Sequence, residues 1–338
     1  MRPTTALPSV VVALALALPS TLASCDGAPE PGASATRAHP FHDPAGGASA
    51  AFWERWGDGR AELASYRGTV MRYGAPREAE VVLVYVTEPL DSRTLIKDDA
   101  APSGRQLQTL KLNAMLRFQT GIYPYSVMTS TFAPVEAFSG LPRFGPAKIT
   151  LTAQDWCGHV FAGAWREPDA LALETRSYFA DPGDASEGDT ERRVELPRGA
   201  LFEDALFVQL RELDGRFLDR PAAPPGTEPV WEGSIVPSLW SARRDHRPVA
   251  PERGAIRVRL EPGLVIFEVE IGARTLTLRV TDDAEHAIAG WETSDGDRFT
   301  LAGRERLPYW ELHDPGEERE RARLGLPEGL ELSAGRAR

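Results

Sequence analysis

Through most of this chain apolar and polar residues alternate, the period-two signature of strands with one buried face. Residues 110–118 place Leu112, Ala114, Leu116 and Phe118 on one face, and Lys111, Asn113, Met115 and Arg117 on the other. Residues 256–260, 265–271, 275–281, 286–293 and 298–301 alternate in the same way. Turn chemistry separates them, as at Asp295-Gly296, where glycine accepts the positive φ of a tight hairpin. Residues 80–87 (EVVLVYVT) are apolar on both faces, which predicts a central strand covered from both sides. Residues 61–73, 123–132, 148–154, 158–165 and 171–179 supply further strands. Residues 304–313 predict a closing edge strand, because Pro308 is tolerated only there.

One stretch keeps a helical period instead. In 201–213, Phe202, Ala205, Leu206, Leu210 and Leu213 share a stripe, with Glu203, Asp204, Arg211 and Glu212 opposite. Residues 51–56 (AFWERW), closed by Gly57, predict one short capped helical segment. Many short strands, one good helix and no βαβ rhythm define a mainly β protein. The expected fold is a large twisted antiparallel β-meander, or half-open barrel, wrapped around that helix and offering a concave apolar face.

The N-terminus changes the picture from fold to location. Arg2 precedes an apolar run at 10–18, too short to span a bilayer as a mature helix. Leu22-Ala23-Ser24-Cys25 then resembles the lipobox of bacterial lipoproteins, whose cysteine sulfur carries the lipid; an ordinary secretory peptide is the other reading. The expected organisation is a signal peptide at 1–24 and a flexible tether at 25–50. A single β-rich domain follows at 51–315, with possible halves at 51–220 and 230–315, and then a charged tail at 316–338. The tether is Ala, Gly, Pro and Ser with little to bury, and residues 181–193 and 221–229 read as loops. Acyl chains on Cys25 would hold the protein on a membrane, facing the periplasm. Asp26 leaves the choice of inner or outer membrane open.

The formal net charge of −11 argues against nucleic acid as a partner and against flat adsorption on anionic lipid. The expected partners are the membrane, through the anchor, and a lipid, a glycan or another envelope protein. If Cys25 is lipidated, Cys157 has no second cysteine to pair with, so stability rests on the core. Neither a phosphate-binding glycine loop, a nucleophile elbow nor a zinc-protease motif is present. The histidines at 39, 42, 286 and 313 are too scattered for a metal site, and no cofactor is expected.

Candidate chemistry gathers between 109 and 165. Cys157 and His159 could form a nucleophile pair, in which imidazole accepts the thiol proton. On one continuous strand they would sit about 7 Å apart, too far for a direct bond. The simpler reading is a small apolar cysteine beside Trp156. Lys111, Asn113 and Arg117, with Tyr123 and Tyr125, form a second candidate set able to hold an anionic group, joined by Asp155 and Trp156. More often such a lysine and arginine lie on a solvated sheet face, or pair with a carboxylate such as Glu80 or Glu136. The eight tryptophans could line a lipid or carbohydrate cleft, though their scatter favours core positions.

Ser65-Tyr66, Arg72-Tyr73-Gly74, residues 82–88, Leu110 to Asn113, Thr120 to Ser126 and Gln154 to His159 carry a resemblance. They resemble a family of bacterial envelope lipoproteins often labelled septum formation inhibitor, over roughly residues 52–180. The pyrophosphatases that properly bear that label begin with a Ser-Pro-Arg-Arg type loop on an α/β sheet, which this chain lacks. The resemblance therefore implies an envelope location and no activity. The expectation is a binding or interaction module, with a Cys157/His159 hydrolase or transferase as the alternative.

Overall fold

The computed structural model describes residues 47–138, 142–167, 169–179, 189–211, 213 and 229–328. The predicted signal peptide, Cys25, most of the tether, the loop at 181–188, the stretch at 221–228 and the end of the tail lie outside these residues.

The first half of the described chain is an antiparallel meander. It runs through β1 (Ala61–Arg72), β2 (Ala75–Asp91), β3 (Gln106–Thr120) and β4 (Tyr123–Pro134). It continues through β5 (Lys148–Asp155), β6 (Gly158–Arg166), β7 (Ala170–Ser177) and β8 (Asp189–Glu195). The short β9 (Leu201–Phe202) leads into helix α2 (Glu203–Gln209), while α1 (Ala50–Trp56) precedes β1. A second meander comprises β10 (Trp231–Val236), β11 (Glu252–Glu261), β12 (Leu264–Ile271), β13 (Arg274–Thr281), β14 (Ile288–Thr293) and β15 (Arg298–Leu307), with α3 (Leu239–Arg244) after β10. β15 pairs antiparallel with β1, from Ala61 opposite Leu307 to Thr69 opposite Arg298. This joins the two meanders into one 15-stranded sheet, with β8 and β9 at its edges. Among the described strands, only β9 against β10 is parallel. The sheet is not closed into a barrel, and a few short helices pack against it.

The alternation read from the sequence explains which side each residue takes. Leu83, Leu112, Val127, Phe267, Leu278 and Phe299 point to the concave side, where they surround α2. The Tyr85 hydroxyl donates to the Phe207 carbonyl at 2.9 Å, and the Thr131 hydroxyl donates to the Asp204 carbonyl at 3.2 Å. The Phe207 ring meets Trp291 edge-on at 5.2 Å. The helix is thus pinned from both halves of the sheet at once.

Several expectations need correction. The helix read across 201–213 is confined to seven residues, because Leu201 and Phe202 pair as a strand. Its supposedly solvated face is buried: Glu203 pairs with Arg274, and Arg211 with Glu62 at 2.8 Å. Residues 298–307 form one strand at the sheet centre, not an edge; Pro308 ends it, and the predicted edge character is lost to pairing with β1. Residues 189–193, read as part of a loop, belong to the edge strand Asp189–Glu195 against β7. The charged tail, part of which the sequence offers as a short helix at 317–323, packs on the sheet. Its 3-10 segment Glu317–Leu324 folds back, and Leu324 and Leu326 pack with Ala61, Leu63, Val84 and Val86 on the convex face. That contact is what covers the second side of β2, as its doubly apolar pattern requires.

Candidate functional site

On the concave face α2, α3 and both halves of the sheet leave a cavity of about 130 Å³. Its walls are aliphatic and aromatic, including Leu83, Leu112, Leu116, Phe207, Trp240 and Trp291. The strand faces dictate this: every second residue points inward, and at the cavity those of β2 and β3 are apolar, while β4 supplies Val127, Thr129 and Thr131. The Trp240 indole N–H is buried and reaches no acceptor among the described residues.

The polar lining gathers at one end, which is also the end of the β1–β2, β3–β4 and β5–β6 turns. Glu203 accepts from the Ser238 N–H at 2.9 Å, and Asp204 from the Leu239 N–H at 3.0 Å, so the start of α2 holds the start of α3. Arg244 is tied to Asp245, Asp295 and Asp297 at 2.7 to 2.9 Å. Arg274 reaches Glu203 and lies 3.6 Å from Asp295. Four carboxyl groups besides Asp204, those of Asp245, Asp295, Asp297 and Glu203, thus face the two guanidinium groups of Arg244 and Arg274. Burial pushes the Asp204 carboxyl up to about 7, against the hydrogen bond from Leu239. It retains some accessible surface, and it lines the cavity. Such a group donates a hydrogen bond below neutrality and carries charge above it.

The residues singled out in the sequence are divided by the sheet. Leu112, Leu116 and Phe118 are concave, so Lys111, Asn113 and Arg117 are convex. Phe118 stands opposite Tyr125, which stacks on it at 4.7 Å, so Tyr123 and Tyr125 face the concave side. The expected five-residue anion site is therefore not assembled. Lys111 pairs with Glu88 at 2.6 Å, in place of Glu80 or Glu136, and the Asn113 side-chain amide oxygen accepts from the Ser130 hydroxyl at 2.7 Å.

Tyr123, Tyr125, Asp155 and Trp156 do come together, beside Arg72 and Tyr73. The Tyr73 and Tyr125 hydroxyls share a hydrogen bond at 2.7 Å, and Arg72 lies over both rings at 4.4 and 5.4 Å. Trp156 lies 6.4 Å from Tyr123.

Cys157 is exposed on the β5–β6 turn, where Gln154 stands opposite His159. The chain reverses at Trp156-Cys157, so no single strand carries the thiol and the imidazole. Lost hydration and the adjacent Asp155 carboxylate push the thiol up from its ordinary value, the reverse of activation. Asp155 accepts instead from the Cys157 N–H at 2.6 Å and the Gly158 N–H at 3.3 Å, which is turn chemistry.

Sequence reasoning missed Asp204, Arg244 and Arg274, whereas Trp240 is one of the eight tryptophans read as cleft lining or core. The signal for Asp204 was an acid pair opening an apolar helix; nothing local marked the two arginines.

No family model matches the chain, and no curated protein matches it. A crystal structure of a DUF1089 family protein from Pseudomonas aeruginosa is similar over 54% of this chain and 83% of its own length, at 8% identity and a TM-score of 0.29.

Proposed function

We propose that this is a lipid-anchored protein of the bacterial envelope whose concave face binds the apolar part of a ligand. The lipobox-like Leu22-Ala23-Ser24-Cys25 supports the anchor. The observation that carries the binding reading is the cavity itself: apolar walls, an unpaired indole N–H, and charged groups collected at one end. Its size decides what fits. An engineered apolar cavity of ~150 Å³ takes up benzene, so a space of this order admits a chain end or a ring and not a whole lipid. The rest of an amphiphile would lie along the polar end, where Asp204, Arg244 and Arg274 meet it.

Native mass spectrometry of the protein extracted from membranes tests the reading. A bound mass that Leu112→Trp or Leu116→Trp displaces, without loss of folding, is the expected result. A ligand-free protein that also fails to take up a fluorescent fatty amine, alcohol or acid would end it.

A further inference from the structure

The turns that close β1–β2, β3–β4 and β5–β6, and the residues that directly follow β7, lie along one end of the sheet. Each one exposes a large apolar or aromatic side chain: Tyr73 at 61%, Ile122 at 80%, Trp156 at 69% and Tyr178 at 70%, the last beside half-exposed Phe179. Neither the cavity nor the core uses them. Adjacent turn tips are two strands apart, so they stand about 10 Å from one another and the row spans about 30 Å.

We infer that this row of turn tips seats the end of the sheet on a lipid bilayer, with the four side chains entering the headgroup region. Two observations favour lipid over a protein surface. Tryptophan and tyrosine, apolar in body and polar at the edge, are the residues that settle at a membrane–water boundary. The exposed side chains form a single row along the end of the sheet, whereas a protein partner of ordinary size wants a broad patch of about 800 Å² on each side.

The local charge also fits, although the whole chain is acidic. Arg72 contacts Tyr73, Tyr125 and the Arg244 carbonyl rather than a carboxylate, Arg117 is exposed nearby, and Arg243 lies over Phe179 at 5.6 Å. Asp155 is engaged by backbone N–H groups within its own turn. Tyr73 reinforces the case, since it takes a left-handed backbone (φ 54°) that glycine or asparagine would adopt more readily. Its ring is then fixed by Arg72 and Tyr125 in the exposed position. The polar end of the cavity lies at this same end of the sheet, so seating it on a bilayer brings the cavity towards lipid. The docking surface stands on its own observations and does not depend on what the cavity holds.

The test uses the full chain with vesicles of phosphatidylcholine and phosphatidylglycerol containing phosphatidylcholine brominated high on the acyl chains. Bromine quenches tryptophan emission on contact. The wild type is expected to show a quenched component that Trp156→Phe loses, with unchanged thermal melting. Ile122→Ser, which leaves Trp156 in place, is expected to lose most of that component as well. Equal quenching in wild type and Trp156→Phe, or none in either, overturns the proposal. Full quenching in Ile122→Ser overturns the shared surface. Quenching that survives in Trp156→Phe alongside a lost component reports lipid reaching Trp240 or Trp291 in the cavity, so the two readings are scored separately.

Discussion

Arg211 is among the largest side chains wholly out of water, and what surrounds it shows what single residues contribute. Its guanidinium donates to the Glu62 carboxylate and to the carbonyls of His286 and Glu285, and it lies 4.5 Å from the Tyr85 ring. Burial alone would push the Glu62 carboxyl up; Arg211, Arg304 and Arg55 together outweigh it and hold the group below its usual value. Removing one member leaves a buried charge uncompensated. Glu62→Gln is therefore expected to cost about 3–5 kcal/mol in denaturant unfolding, and Glu62→Leu with Arg211→Met to recover most of it. Asp204 behaves oppositely. Its folded pKa of about 7 lies above its ordinary 3.8, so the folded protein keeps a proton that the unfolded chain releases. This contribution is fully present below the ordinary value and is lost as pH rises towards 7. Asp204→Asn keeps the acceptor for Leu239 and removes the titration. Its stability relative to wild type should thus climb between about pH 4 and pH 7 and level off above, as thermal melts across pH will show. Cys157, raised by Asp155, is expected to alkylate slowly with iodoacetamide at pH 7 and readily only well above it, although the thiol is exposed. Of these three roles only that of Asp204 left a trace in the sequence, as part of the acid pair that opens an apolar helix. Alternation gives the face of a residue within one strand, but Lys111 and Tyr125 are related only through the turn between them. The register of that turn sets which faces are shared. For Arg211, the partner lies 149 residues away.

At the scale of elements, the sequence revealed most where one strand or turn is its own evidence. The alternation of 110–118 is β3, the doubly apolar 80–87 is the middle of β2, and Ser49 and Gly57 close α1 as the glycine predicted. Misreadings came where tertiary pairing overrode a local pattern. Leu201 and Phe202 fall within the predicted helix, Phe202 on its apolar stripe, yet Ile235 and Val236 draw them into the sheet. The C-terminal segment is the sharpest case. Glu317–Leu324 is charged enough to read as solvated, and only Leu324 and Leu326 betray its docking. Its hold on the sheet is also polar, because the Ser65 hydroxyl donates to the Leu324 carbonyl. Leu324→Ala is expected to cost about 2–4 kcal/mol. Truncation after Pro315 should do more, exposing Leu63, Val84 and Val86 and driving concentration-dependent aggregation visible by light scattering.

For the whole molecule, an open sheet of this size has two edges to defend. β8 carries Glu191, Arg192 and Arg193, and ion pairs link Glu191 to Arg176 and Arg193 to Glu167. Charge along an edge discourages a second chain from adding its own strand. Replacing Glu191 and Arg193 with threonine is expected to leave the fold intact and shift sedimentation from monomer towards larger species. The sequence announced a large meander but not its seam, since nothing local says that the first strand and the last lie side by side.

That seam governs the order of assembly. Contacts such as the one between Arg304 and Glu62, 242 residues apart, form only after nearly all of the polypeptide has emerged. Each half-sheet is local and quick to zip, whereas the join between them is a late, slow closure. Until then β1 waits with a bare hydrogen-bonding rim, in need of a holding chaperone, and a nascent chain stalled before residue 298 would be a ready substrate for quality control.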